Sequence, residues 1–148
     1  MKRIALLGLA CFVLSGCGDD KVTEEYLVGD WICNWETFEK RNSGREESYG
    51  DVVIDKNEYN RTFKMVDDKL YMVIRGEELK RFNLDYIYNN PTHEFILEDE
   101  AVSNTQKLEK ISNDKYQFVT TTDYKKISNK TNLIDVSFKR ITVCTRIK

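Results

Sequence analysis

Cysteine and histidine, the side chains that most readily serve as nucleophile, general base or transition-metal ligand near neutral pH, are few in this chain. Four cysteines stand at positions 11, 17, 33 and 144, and a single histidine, His93, stands beside Glu94. One histidine excludes every multi-histidine metal site. The chain carries no Gly-x-Ser-x-Gly elbow, no glycine-rich phosphate loop and no His-Glu-x-x-His pair. His93-Glu94 follows Pro91 and reads as an exposed loop pair, with no nucleophile placed beside it by spacing. Carboxylates cluster at Glu46-Glu47, Asp67-Asp68 and Glu98-Asp99-Glu100. Two carboxylates can divide acid and base roles, but between strands such clusters are solvated turn residues. A calcium loop needs alternating oxygen ligands around a glycine, which residues 98–100 lack. The expectation is a protein that is not an enzyme, with no catalytic residues, no metal and no cofactor.

The N-terminus has a different chemistry. Met1-Lys2-Arg3 precedes an apolar run from Ile4 to Leu14, the charged start and short apolar core of a secretory signal peptide. The run falls short of the roughly 20 apolar residues that a spanning helix needs. It ends in Leu14-Ser15-Gly16-Cys17, which resembles the lipobox of bacterial lipoproteins. The resemblance implies a diacylglycerol on the Cys17 sulfur, cleavage that removes residues 1–16, and acylation (palmitate or a similar chain) of the new amino terminus. Two or more acyl chains give a stable membrane anchor where one is marginal. The residue after Cys17 is Gly18, not the Asp that favours inner-membrane retention in the enterobacterial pattern, so the outer membrane, on its periplasmic face, is the expected address. Residues 17–25 then read as the lipidated cysteine and a flexible polar tether, and 26–148 as one β-barrel-like domain.

Lipidation of Cys17 and loss of Cys11 leave Cys33 and Cys144. In the oxidising compartment that export implies, two remaining thiols pair as a disulfide. Closing a loop of that length is worth roughly 4–5 kcal/mol in the chain-entropy model. Without Lys2 and Arg3 the mature chain holds 21 of the 23 basic residues against 25 acidic ones, interspersed along the sequence. That balance is a solvated surface, not a nucleic-acid footprint. The expected partners are the membrane, through Cys17, and an envelope protein.

Most of the mature chain alternates with period two. Trp31, Cys33 and Trp35 share a face, as do Phe63 and Met65 before the Asp67-Asp68-Lys69 turn. Phe82, Leu84, Tyr86 and Tyr88 alternate ahead of the Asn90-Pro91 turn, and Ser112-Asn113-Asp114-Lys115 separates two further runs. A long last strand spans 133–147, with Ile134, Val136, Phe138 and Cys144 on one face. Ile141 and Val143 are apolar on the other, which requires a bulge near Lys139-Arg140 or cover on both faces. The pattern predicts an all-β fold: one antiparallel meander of about 8–10 strands, closed as a small up-and-down barrel or a sandwich. A Cys33–Cys144 bridge requires the first and last strands to be neighbours.

Leu27-Val28-Gly29-Asp30-Trp31 resembles the Gly-x-Trp that opens the first strand of lipocalin-like barrels. The resemblance implies a Trp closing the barrel floor beneath a basic side chain of the last strand, here Arg140 or Arg146. Two functions follow as expectations. The first is a lipid-anchored, non-catalytic protein-binding, inhibitory or accessory module, with unknown contact residues. The alternative is a lipocalin-like carrier of an apolar small molecule. The strand aromatics Trp35, Phe82, Tyr86, Tyr88, Tyr116, Phe118 and Tyr124 supply either a core or a binding surface.

Overall fold

The computed structural model describes residues 21–42, 52–74, 78–97, 100–126 and 135–148. Cys17 and the signal segment lie outside the described residues, as do Glu46-Glu47, Glu98-Asp99 and the start of the expected last strand at 133–134. A short helix, α1 (Glu24–Leu27), precedes strands β1 (Gly29–Asn42), β2 (Val53–Val66), β3 (Lys69–Ile74) and β4 (Glu78–Arg81). Helix α2 (Leu84–Asn89) follows, then β5 (Thr92–Leu97), β6 (Glu100–Ser112), β7 (Lys115–Lys126) and β8 (Asp135–Arg146). The eight antiparallel strands form one sheet in the order β4-β3-β2-β1-β8-β7-β6-β5, curled into a half-barrel.

The first and last strands are neighbours, with Cys33 directly opposite Cys144 and bridged to it at a Cα separation of 4.0 Å. They lie in the middle of the sheet, however, and its edges are β4 and β5. Closure would need β4 to pair with β5, and among the described residues these strands are joined only through α2. The described residues thus bear out the single antiparallel meander as a curled half-barrel sheet, and they contain no β4–β5 pairing that would close it.

That helix is a departure from the expected pattern. The alternation of Phe82, Leu84, Tyr86 and Tyr88 reads as a strand, yet 84–89 is helical. Asn83 caps it by accepting a hydrogen bond from the Tyr86 amide at 3.1 Å, and Asp85 sits in the first turn. Leu84 and Ile87, three apart, bury one face, while Tyr86 is 51% exposed. The short run satisfied both periods, and the cap with its tertiary contact selected the helix. Pro91 biases the preceding residue away from helical geometry and the chain turns into β5.

The expected tether also ends early. Val22 is only 2% exposed, and its amide donates to the Tyr88 hydroxyl at 2.8 Å. Thr23 caps α1 through its side-chain oxygen. The segment before β1 is thus clasped to α2 and belongs to the packed body.

Turn chemistry sets the hairpins. Asp67 and Asp68 both take positive φ, 48° and 57°, between the paired residues Val66 and Lys69. Two left-handed residues in a two-residue loop match the twist of the flanking strands. β8 pairs with β1 and β7 in unbroken register from Val136 to Cys144. No bulge lies at Lys139-Arg140; instead Ile141 and Val143 are half-buried on the outer face, so both faces carry cover there. A register shift does occur in the β1–β2 ladder, where Ile54 is the extra residue opposite Thr37 and Phe38.

The buried cluster of Val22, Leu27, Trp31, Cys33, Phe63, Leu70, Leu84, Ile87, Leu108, Tyr116 and Cys144 occupies one end of the curl. This is the end where β1 begins and β8 finishes, and both helices pack onto it. The far end of the same inner face is polar.

Candidate functional site

The packed end is sealed by a tryptophan and an arginine. Trp31 donates its indole N–H to the Leu27 carbonyl at 2.8 Å. The Arg146 guanidinium lies over Trp31 at 4.3 Å from the ring centroid and donates to the carbonyls of Val28 (2.7 Å) and Tyr26. One cation thus covers an aromatic face and satisfies carbonyls at the C-terminus of α1, where the helix dipole favours positive charge. Gly29 stands between them at φ 122°, and a Cβ there would meet Arg146 Nη1 at 2.9 Å. Only glycine meets both demands. Of the two arginines that could cover Trp31, Arg146 does so, and Arg140 lies over Trp35 instead, at 4.2 Å.

Above this floor, Tyr116 is buried against the disulfide, its hydroxyl 4.0 Å from the Cys33 sulfur. Since that sulfur is bridged, the phenol is the donor. Burial pushes the Tyr116 phenol up to about 12, with the Arg61 guanidinium pulling in the opposite direction. A tyrosine whose folded pKa lies above its unfolded value of 10.0 contributes stability below pH 10 and loses it as pH rises towards 12. We expect the wild type to lose roughly 2–3 kcal/mol across that window that Tyr116→Phe retains, a value set by about 1.4 kcal/mol per pKa unit. Denaturant unfolding of both proteins from pH 9 to 12 checks this; parallel curves would refute it.

The polar end forms a trough of about 480 Å³. It is lined by Thr37 of β1, Ile54 and Asp55 of β2, Asn104 and Gln106 of β6, Thr120, Thr122 and Tyr124 of β7, and Phe138 and Arg140 of β8. β2 and β6 are four strands apart in the sheet, so a shared cavity requires the sheet to curl. Cross-strand pairing aligns the lining: Gln106 faces Thr120 and Thr37 faces Arg140. Arg140 Nε donates to the Thr37 hydroxyl at 3.1 Å while the guanidinium rests on Trp35. Asn104 Nδ2 donates to the Thr122 hydroxyl at 3.0 Å, and its Oδ1 is buried without a protein partner. Tyr124 and Phe138 meet edge to face, with centroids 6.0 Å apart.

Three inward arginines, Arg61, Arg140 and Arg146, all lie over aromatic rings. The ion pairs among the described residues, Arg41–Glu39 and Lys107–Glu109, involve none of them. Arg61 donates to the Tyr59 hydroxyl at 2.6 Å, and its Nε is buried without a partner.

The groups that sequence placed together are dispersed. His93 and Glu94 are strand residues of β5, not a loop pair, and so point to opposite faces. The His93 ring stacks on Tyr86 at 4.9 Å, with Nδ1 3.3 Å from the Tyr86 hydroxyl. Asp67 and Asp68 are exposed turn residues. Among the described residues, no three His, Cys, Asp or Glu side chains gather where a metal ion could sit. The trough was not foreseen; its trace in sequence is the run Thr120-Thr121-Thr122, whose alternate members place two hydroxyls on the inner face.

The outer face carries a second groove of about 440 Å³ beside the β5 edge. Glu94, Ile96, Ala101, Ser103, Asp123 and Lys125 line it. Phe95, Ile96 and Leu97 are 50%, 72% and 55% exposed, and among the described residues β5 pairs only with β6. Set against protein-family models, curated proteins and solved structures, the chain matches none.

Proposed function

We propose that this chain is a lipid-anchored lipoprotein of the bacterial cell envelope, held through Cys17 at the periplasmic face of the outer membrane, and that it acts as a non-catalytic module binding another envelope protein. The observation that carries the binding role is the β5 edge: six residues with one side unpaired among the described residues and three consecutive large apolar side chains exposed. An edge of this kind is a template for an added strand, and proteins that avoid such pairing place charges or a bulge there. The occupant is an extended apolar segment of the partner, bearing basic side chains. Its backbone extends the sheet beside β5, its apolar residues cover Phe95 and Ile96, and its cations meet Glu94 and Asp123 at the groove. The acidic run Glu98-Asp99-Glu100 directly after β5 favours the same polarity of charge. The polar lining of the inner trough gives no support to a carrier of apolar molecules.

Capture of partners from detergent-solubilised envelope tests the binding role. Ile96→Lys is expected to weaken capture of the partner at least tenfold while leaving thermal stability within about 0.5 kcal/mol of wild type, because Ile96 is a surface residue. Leu79→Lys, on the β4 edge, serves as control and retains capture. Undiminished capture by Ile96→Lys, or recovery of lipid-like molecules and no protein, would overturn the proposal. Anchoring is tested separately: a radioactive fatty acid labels the wild type and not Cys17→Ser, and equal labelling refutes the lipid assignment.

A further inference from the structure

We propose that the inner trough binds a small hydroxylated organic anion, a molecule with one acidic group and several hydroxyls, such as a sugar acid. The site lies on the face of the sheet opposite the β5 groove and stands independently of it.

The anionic part follows from Arg140. Its guanidinium lies over Trp35, 4.2 Å from the ring centroid, and is oriented through Nε by Thr37. Among the described residues no carboxylate pairs with it. An arginine pre-set in this way offers its terminal N–H fork at no further ordering cost, and that fork matches carboxylate or phosphate. Asp55, at the trough's β2 wall, is the one acidic lining residue and makes no ion pair with Arg140.

The hydroxylated part follows from the other wall. Gln106, Asn104, Thr120 and Thr122 both donate and accept, as a ligand with several hydroxyls requires. Asn104 Oδ1 is the sharper observation. It is a buried acceptor without a protein partner, in a side chain already fixed by its bond to Thr122. Buried polar atoms in folded proteins are paired, and this one calls for a donor. A bare anion has none, whereas a hydroxyl does. Tyr124, Phe138 and Ile54 add an apolar strip that suits the C–H face of a ring or chain. The volume of about 480 Å³ falls within the ordinary range for small-ligand sites.

Titration calorimetry on the full chain with three probes tests the assignment: D-glucuronate, which has both features, D-glucose, which lacks the charge, and acetate, which lacks the hydroxyls. Glucose 6-phosphate distinguishes a carboxylate from a phosphate source of the same chemistry. Glucuronate or glucose 6-phosphate is expected to bind at least tenfold more tightly than glucose or acetate. Arg140→Gln reduces that affinity to the glucose level. Should Arg140→Gln perturb folding by uncovering Trp35, Asn104→Asp provides a near-isosteric second variant. It sets a carboxylate where the ligand hydroxyl would donate and repels the anion, so binding falls roughly tenfold, about 1.4 kcal/mol. Equal binding of all four probes, binding unchanged in Asn104→Asp, or no heat at about 10 mM ligand would overturn the proposal.

Discussion

Replacing Cys33 and Cys144 together by alanine is expected to lower the unfolding free energy by about 4–5 kcal/mol, and the melting temperature by roughly 15 °C. The bridge closes a loop of 111 residues, nearly the whole folded body. In the unfolded chain that closure removes more conformations than a short loop would. In the folded chain it joins directly opposite residues of the two central strands, both fully buried, and so holds together the two halves of the meander, β1–β4 and β5–β8. Alanine is the informative replacement, because serine would leave buried hydroxyls and confuse two effects. Denaturant unfolding of the double variant, compared with wild type under reducing and non-reducing conditions, measures the loss. A difference under about 1 kcal/mol would mean that the β1–β8 ladder forms without help from the bridge.

The second large effect is at Trp31. Trp31→Ala is expected to cost about 3–5 kcal/mol, the range for removing a large buried aromatic. Three losses coincide: the fully buried ring leaves a cavity among Leu27, Tyr116 and their neighbours, the Leu27 carbonyl loses its indole donor, and Arg146 loses its platform. Arg146 retains its bonds to Val28 and Tyr26. The stacking part can be isolated by a double-mutant cycle of Trp31→Leu with Arg146→Ala, for which the coupling should be about 0.5–2 kcal/mol. Additive effects within a few tenths of a kcal/mol would show that Arg146 acts only through the carbonyls. The test also bears on α1, whose final turn is secured from β8 by one side chain and from β1 by another.

Strand parity made much of the sheet legible. The inner-face positions of β1, Trp31, Cys33 and Trp35, follow from period two, and so does the placement of Cys144 on the matching face of β8. The turn at Asp67-Asp68 and the break at Pro91 were visible for the same local reason, since backbone conformation there depends on the residue itself. Helix α2 was not legible. Six residues satisfy either period, and the decision rested on Asn83 as cap and on burial of Leu84 and Ile87 against strands distant in sequence. Val22 was misread for a related reason, because a single apolar residue in a polar stretch gains a role only when Tyr88 is brought to it.

The trough was the least visible feature. Threonine, asparagine and glutamine at alternate strand positions are what any solvated sheet face would carry. Their common enclosure depends on the curl that brings β2 and β6 to one cavity, and curvature belongs to the whole sheet.

By itself the sequence determined the all-β character and the faces of β1 and β8, which depend on alternation and survive without coordinates. The pairing of Cys33 with Cys144 followed from the lipobox resemblance, which set Cys11 and Cys17 aside, and the structure shows that bridge. Only the tertiary structure decided that β4 and β5 are the edges of the sheet among the described residues, that Arg146 and not Arg140 covers Trp31, and that the exposed apolar edge is β5. Each of these turns on which distant residues meet across the curl. A one-dimensional pattern fixes the direction in which a side chain points, and the neighbour it finds there is set by the packing of the whole.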